Sequence, residues 1–171
     1  MKKLATLDDL LVHELQDLYD AEQQITKALP TMATAASATE LQSAFRRHLT
    51  ETEAQIERLE EVFIILGVPA KGRRCDGMAG LLKEGAKMMD ERVEPEVLDA
   101  ALIAAAQKVE HYEIAGYGCV ATYAQMLGRT EVHELLVQTL EEEEITDQKL
   151  SELAETLINV RAGSDVTDRV R

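Results

Sequence analysis

Apolar side chains recur at three- and four-residue intervals along four long stretches of the chain. Leu7, Leu11, Leu15, Leu18, Ala21, Ile25 and Leu29 mark the first, a spacing that stacks them on one helical face. Thr6 or Asp8 can cap its start, and Pro30 predicts its end near Leu29. A second stripe (Leu41, Phe45, Leu49, Ile56, Leu59, Phe63, Leu66) predicts a helix from about Thr39 to Leu66, stopped by Gly67 with Pro69 beyond it. The pattern loosens from Ala70 to Pro95, where Lys71–Arg74 is basic and turn-like and Met78–Glu91 predicts a short helix. Glu96–Leu127 reads as a third long helix closed by Gly128. Thr130 then caps a fourth, from Glu131 to about Val160, ended by Gly163. Residues 1–162 thus form one helical unit, and the polar tail 163–171 is expected to fray.

The order of these elements limits the topology. Short connections at 30–38 and 128–130 make two antiparallel hairpins, whereas 67–94 is long enough to run the length of a bundle. The expected fold is all-α: a ferritin-like four-helix bundle whose long crossover carries a short extra helix. A faint internal repeat fits duplicated hairpins, since HLTETEAQIERL (48–59) lies over TLEEEEITDQKL (139–150) and DLYDAE (17–22) over EHYEIA (110–115).

Composition narrows the function. The 171 residues suit a single domain, and three prolines with nine glycines argue against a many-turned β-sandwich. Thirty-two acidic against 18 basic side chains give a net charge of −14, which disfavours nucleic acid and anionic membranes as partners. Cys75 and Cys119 cannot build a disulfide framework and have no partners at zinc spacing. Nothing at Met1–Ala5 resembles a secretory signal and no run of 18 apolar residues occurs, so a soluble, cytoplasmic protein is expected.

The chemistry lies in carboxylates placed where a core is expected. At ~100° per residue, Glu113 falls close to the centre of the third apolar stripe, with Glu110 on its flank. Glu143 is central in the fourth, and Asp147 is still within the arc one turn later. His48 is central in the second, with Glu51 three residues on and able to aim at the same point. In the first helix Glu14 lies within the stripe, Asp17 flanks it and Glu22 sits on the opposite edge, and any of the three could serve. Folding the third and fourth helices about Gly128–Arg129 sets Glu113 opposite Glu143–Glu144 and Glu110 opposite Asp147. Folding the first and second about residue 34 or 35 sets Asp17 near Glu51 and Glu22 near His48. Carboxylates gathered this closely cannot all ionise unless cations sit among them. Oxygen ligands with one imidazole suit two ions of iron or manganese per chain, held by Glu14, Asp17, His48, Glu51, Glu110, Glu113, Glu143 and Asp147. Tyr117, on the same side as Glu113, is placed to support the centre or to donate an electron.

The stretches ELQDLYDAEQQI (14–25), HLTETEAQIERLEEVF (48–63), CDGM (75–78), KVEHYEIAGY (108–117) and TLEEEEITDQKL (139–150) together resemble the YciE/YciF-like family of ferritin-like proteins, over about residues 5–162. The resemblance implies a bacterial, stress-associated protein, a homodimer and a di-metal centre. A carboxylate-bound pair of metal ions points to redox chemistry on peroxide or dioxygen, the alternative being a non-catalytic metal-sequestering or helical interaction protein. Rubrerythrins and ferritins carry Glu-x-x-His pairs, whereas here the second helix has the reverse order, His48-x-x-Glu51, and the fourth has no partner histidine beside Glu143 and Asp147. A site richer in oxygen donors lowers the metal's reduction potential and favours manganese or ferric iron.

Overall fold

The computed structural model describes residues 4–168, with side chains through Ser164. Two antiparallel hairpins form the bundle. In the first, α1 (Leu7–Ala35) is followed by α2 (Thr39–Ile65). In the second, α4 (Pro95–Met126) is followed by α5 (Thr130–Leu153), which continues through a π-helical turn (Ala154–Ile158) into α6 (Asn159–Asp168). The crossover carries α3 (Asp76–Asp90), which packs on the outside against α1 and α4. Helix α1 also packs on α4, and α2 on α5. Arg129 at the α4–α5 turn meets Asp8 at the start of α1, 2.9 Å away, so α1 and α4 run antiparallel. Bonds from Gln55 and Arg58 to Glu142 and Thr139 fix the same relation between α2 and α5. Helices running this way require the crossover to travel the length of the bundle, which is the ferritin-like topology.

A buried seam with a 3.5-residue period runs along three of the helices. In α1 it passes through Leu11, Leu15, Leu18, Glu22, Ile25 and Leu29, with Tyr19, Ala21, Met32 and Ala33 buried beside it. In α2 it passes through Leu41, Phe45, His48, Thr52, Gln55, Leu59 and Val62, with Phe63 buried beside it. In α5 it passes through Val132, Leu136, Thr139, Glu143, Thr146 and Leu150. Alternating steps of three and four keep one seam facing the partner helices, as in coiled coils. Polar residues occupy the middle of each seam, and apolar clusters close both ends. Leu11, Leu15, Phe63 and Val120 belong to one cluster, and Leu29, Leu41, Phe45 and Ile103 to the other.

Helix boundaries differ from expectation at several points. Helix α1 does not stop at Leu29 but continues through Pro30 to Ala35. Burial of Met32, Ala33 and Ala36 outweighs the missing proline N–H, a defect of about 3 kcal/mol in a helix interior. The chain therefore reverses at 36–38 rather than at 34 or 35. Thr6 caps α1 as expected, its Oγ1 accepting from the Asp9 N–H at 3.1 Å. At α5 the capping position is Arg129, and Thr130 is already helical. Gly67 and Gly128 close their helices with φ of 67° and 68°, a left-handed conformation that L side chains adopt at a cost. Beyond Gly163 the backbone stays helical through Asp168, and residues 169–171 of the tail expected to fray lie outside the described residues.

One buried acid holds the α1–α2 turn. Asp99, 2% exposed, accepts from the Ser37 N–H (2.7 Å), the Ser37 hydroxyl (2.7 Å) and the Ala38 N–H (2.9 Å). Replacing it with alanine orphans both amides and the hydroxyl. Asp99→Ala is expected to lower unfolding free energy by about 3 kcal/mol, read from urea denaturation midpoints. A loss below about 1 kcal/mol would show that water takes over these bonds.

Candidate metal centre

Five ionisable side chains from four helices meet midway along the bundle: Glu22 of α1, His48 of α2, Glu110 and Glu113 of α4, and Glu143 of α5. None is more than 6% exposed. Each helix delivers its member for the reason it delivers its leucines, since Glu22, His48 and Glu143 occupy seam positions. One ligand atom from each of His48, Glu110, Glu113 and Glu143 lies within 4.8 Å of the others. The His48 Nε2 is 3.3 Å from Glu110 Oε1. Tyr117, fully buried one turn beyond Glu113, donates its hydroxyl to Glu22.

Most of these donors have no partner. Both ring nitrogens of His48, Glu110 Oε2, and both carboxylate oxygens of Glu113 and Glu143 are buried without a hydrogen bond. Such groups normally find one, because an orphan costs about 1–3 kcal/mol and a bare charge more. The electrostatics follow. Burial pushes the Glu22 carboxyl up to about 7 against the pull of its bonds to Tyr117 and the nearby His48. Burial, reinforced by Glu22 and Glu143, raises Glu113 well above the usual carboxylate range. Burial, then Glu110 and Glu22, does the same to Glu143. At His48 burial opposes the charged ring, but Glu110, Glu22 and Glu51 outweigh it and hold the pKa above its ordinary value. Thus the metal-free cluster holds protons where cations would serve.

Of the other residues read from the sequence as ligands, Glu51 stands beside the cluster, and Glu14, Asp17 and Asp147 have partners outside it. Glu14 is 43% exposed and pairs with His13 Nδ1 at 3.1 Å. Asp17 accepts from the Tyr112 hydroxyl (2.7 Å), whose oxygen also lies 3.0 Å from Cys75 Sγ. That group serves the crossover: Cys75 caps α3, and a Cβ on Gly77 would come within 2.8 Å of the Tyr112 ring. Asp147 does not face Glu110 but points to the bundle flank, 3.5 Å from His111 Nε2 and 3.4 Å from Gln107 Nε2. Glu51 is a third exposed, with Oε2 3.9 Å from His48 Nδ1, beyond hydrogen-bond distance. Glu22, one of three alternatives in the first helix, is the one at the cluster. Sequence reasoning overlooked the support on the α2–α5 side. There Arg58 grips Glu142 through two bonds of 2.9 Å and Thr139 at 2.6 Å, while Gln55 donates to Glu142 at 3.2 Å.

Fold and cluster together define a ferritin-like four-helix bundle with a buried histidine–carboxylate centre. The chain belongs to the family described as a domain of unknown function (DUF892), whose model matches residues 6–163. It is 46% identical over 160 residues to protein YciF of Escherichia coli (strain K12), covering 93% of this chain and 96% of that protein. The crystal structure of the E. coli stress protein YciF superposes with a TM-score of 0.88 at 46% identity, over 91% of this chain and 99% of that one. YcfI of Rhodopseudomonas palustris, considered a structural protein, gives 0.86 at 45% identity, over 88% and 96%. A protein from Xanthomonas campestris pv. campestris shares the fold at 21% identity, with a TM-score of 0.76 over 94% and 99%. Among the described residues no helix is long and apolar enough to cross a membrane.

Proposed function

We propose that this protein binds two iron or manganese ions at the mid-bundle cluster and uses them to reduce hydrogen peroxide or dioxygen. The observation that carries this reading is the set of buried, unpartnered donors on His48, Glu110, Glu113 and Glu143, with Glu22 beside them. Two divalent cations would balance the four carboxylates and leave the imidazole neutral, removing the cost of burying like charges together. Oxygen donors with one nitrogen suit iron or manganese better than zinc or copper. When bound, such a metal pair supplies two electrons in one step.

The chain's own residues then have separable tasks. His48, Glu110, Glu113 and Glu143 would hold the ions, with Glu22 beside them accepting from Tyr117. The Tyr117 hydroxyl donates to Glu22 and keeps that carboxylate oriented. Apolar layers above and below exclude bulk water. Reducing peroxide to two waters consumes two protons and two electrons, the electrons coming from an external reductant. The stress association of YciF, both cysteines being free, and the acidic surface fit a cytoplasmic role of this kind. We expect a homodimer without nucleic-acid or membrane partners.

Metal analysis of protein expressed without supplementation tests the reading. About two iron or manganese ions per chain are expected, with peroxide consumption that a chelator abolishes. A chain with well under one ion, which takes up none when iron(II) or manganese(II) is added, does not contain this centre.

A further inference from the structure

A cleft of about 630 Å³ opens between α2 and α5 on the bundle flank, and both His48 and Glu110 line it. The His48 ring stands in its wall. On the inner side Nε2 is 3.3 Å from Glu110 Oε1; on the other, Nδ1 is 3.9 Å from Glu51 Oε2. The His48 side chain is only 7% exposed, and neither ring nitrogen has a hydrogen-bond partner. One nitrogen therefore faces the cluster and the other faces Glu51, which also lines the cleft.

A hydrated divalent cation cannot cross packed helices. To reach a buried carboxylate cluster it must exchange water for protein ligands in steps, beginning where solvent and donors meet. Glu51 meets that requirement: it is a third exposed, lines the cleft, and is too far from His48 to be held by a hydrogen bond. The opposite wall includes Thr156, within the π-helical turn, a distortion common beside functional sites. Arg47 and Lys149 also line the cleft, against Glu40, Glu51, Glu110 and Glu152, so the balance of charge favours a cation.

We infer that the α2–α5 cleft is the loading route for the metal, with Glu51 and His48 Nδ1 as a transient first station. Glu51 passes ions on and is not among their final ligands. This inference rests on the metal-binding reading above.

Stopped-flow mixing of the metal-free protein with cobalt(II), followed by ligand-field absorbance, tests it. Glu51→Gln removes the station's charge, and Ala44→Phe narrows the cleft one turn before His48. Both variants are expected to load on the order of tenfold more slowly than wild type, with unchanged final stoichiometry. Refolding each chain with cobalt present bypasses the route, so all three should then reach the same absorbance. Wild-type loading rates in both variants would overturn the route. A lower cobalt stoichiometry in Glu51→Gln after refolding would make Glu51 a permanent ligand and overturn its transit role. If the wild type refolded with cobalt takes up none, the centre itself is refuted, and the route with it.

Discussion

Stripped of metal, the protein is expected to lose stability as pH rises from about 5 to about 8. The cause is the cluster. Glu22 has a folded pKa of about 7 against 4.5 when unfolded. Glu113 and Glu143 are also raised well above the usual carboxylate range, by burial first and then by the neighbouring carboxylates, Glu22 and Glu143 at Glu113, Glu110 and Glu22 at Glu143. His48 is displaced in the same direction. A group that binds its proton more tightly when folded contributes fully below its unfolded pKa and loses that contribution as pH passes its folded pKa. For Glu22 alone the difference corresponds to about 3 kcal/mol, at ~1.4 kcal/mol per pH unit. Glu113 and Glu143 add to it. Surface repulsion at a net charge of −14 acts in the same sense but is screened by salt, whereas the buried contribution persists. Urea midpoints of the chelated protein at high salt should therefore fall between these pH values by the equivalent of at least about 3 kcal/mol. Metal should reverse the slope, because its ligands must shed their protons to bind. A chelated protein as stable at pH ~8 as at pH ~5 would mean that these carboxyls are not buried as described.

Replacing Glu113 and Glu143 together by glutamine is expected to separate binding from folding. The amides keep the volume of the carboxyls and cannot ionise, so metal content should fall below about a tenth of the wild-type value. The metal-free double variant should meanwhile be more stable than metal-free wild type at pH ~8, by about 2–4 kcal/mol, since the buried charge has been removed. At pH ~5, where the native carboxyls hold protons, the two should nearly coincide. Metal analysis with denaturation at both pH values reads all three outcomes. A double variant that retains its metal would show that the ions sit elsewhere, and one destabilised at both pH values would show that the carboxyls make bonds that an amide cannot replace.

The architecture was legible because the signals for it are local. Four apolar stripes, the glycines at 67 and 128, and one connection too long for a hairpin define the bundle without reference to tertiary contacts. The inward acids of α4 and α5 and His48 were visible for the same reason: they interrupt leucine-rich faces. Helix α1 was harder because its stripe was anchored on Leu7, which is only partly buried. Glu14 lies seven residues on, in phase with Leu7, whereas the buried steps of four and three through Leu11, Leu15, Leu18, Glu22, Ile25 and Leu29 pass through Glu22. The same count through Leu136, Thr139, Glu143, Thr146 and Leu150 leaves Asp147 on the flank. Supercoiled packing, a property of the assembled bundle, sets that period. Asp99, Tyr112 with Asp17, and Arg58 with Glu142 could not be found by periodicity, since each acts across elements far apart in sequence.

The π-helical turn carries a consequence for the length of the chain. After Leu150 and Ala154 the seam would next call on Leu157, yet Ile158 is the buried residue, 1% exposed, and the Asn159 N–H reaches back five positions to the Ala154 carbonyl. A chain shortened by one residue between Ala154 and Ile158 would put that same isoleucine in phase with an ordinary α-helix and leave α6 on its present bearing. The core thus asks for one residue fewer than the polypeptide supplies there. The surplus is accommodated as a swelling of the helix on the side where Thr156 stands, so the contour of that flank can vary without disturbing the packing beneath.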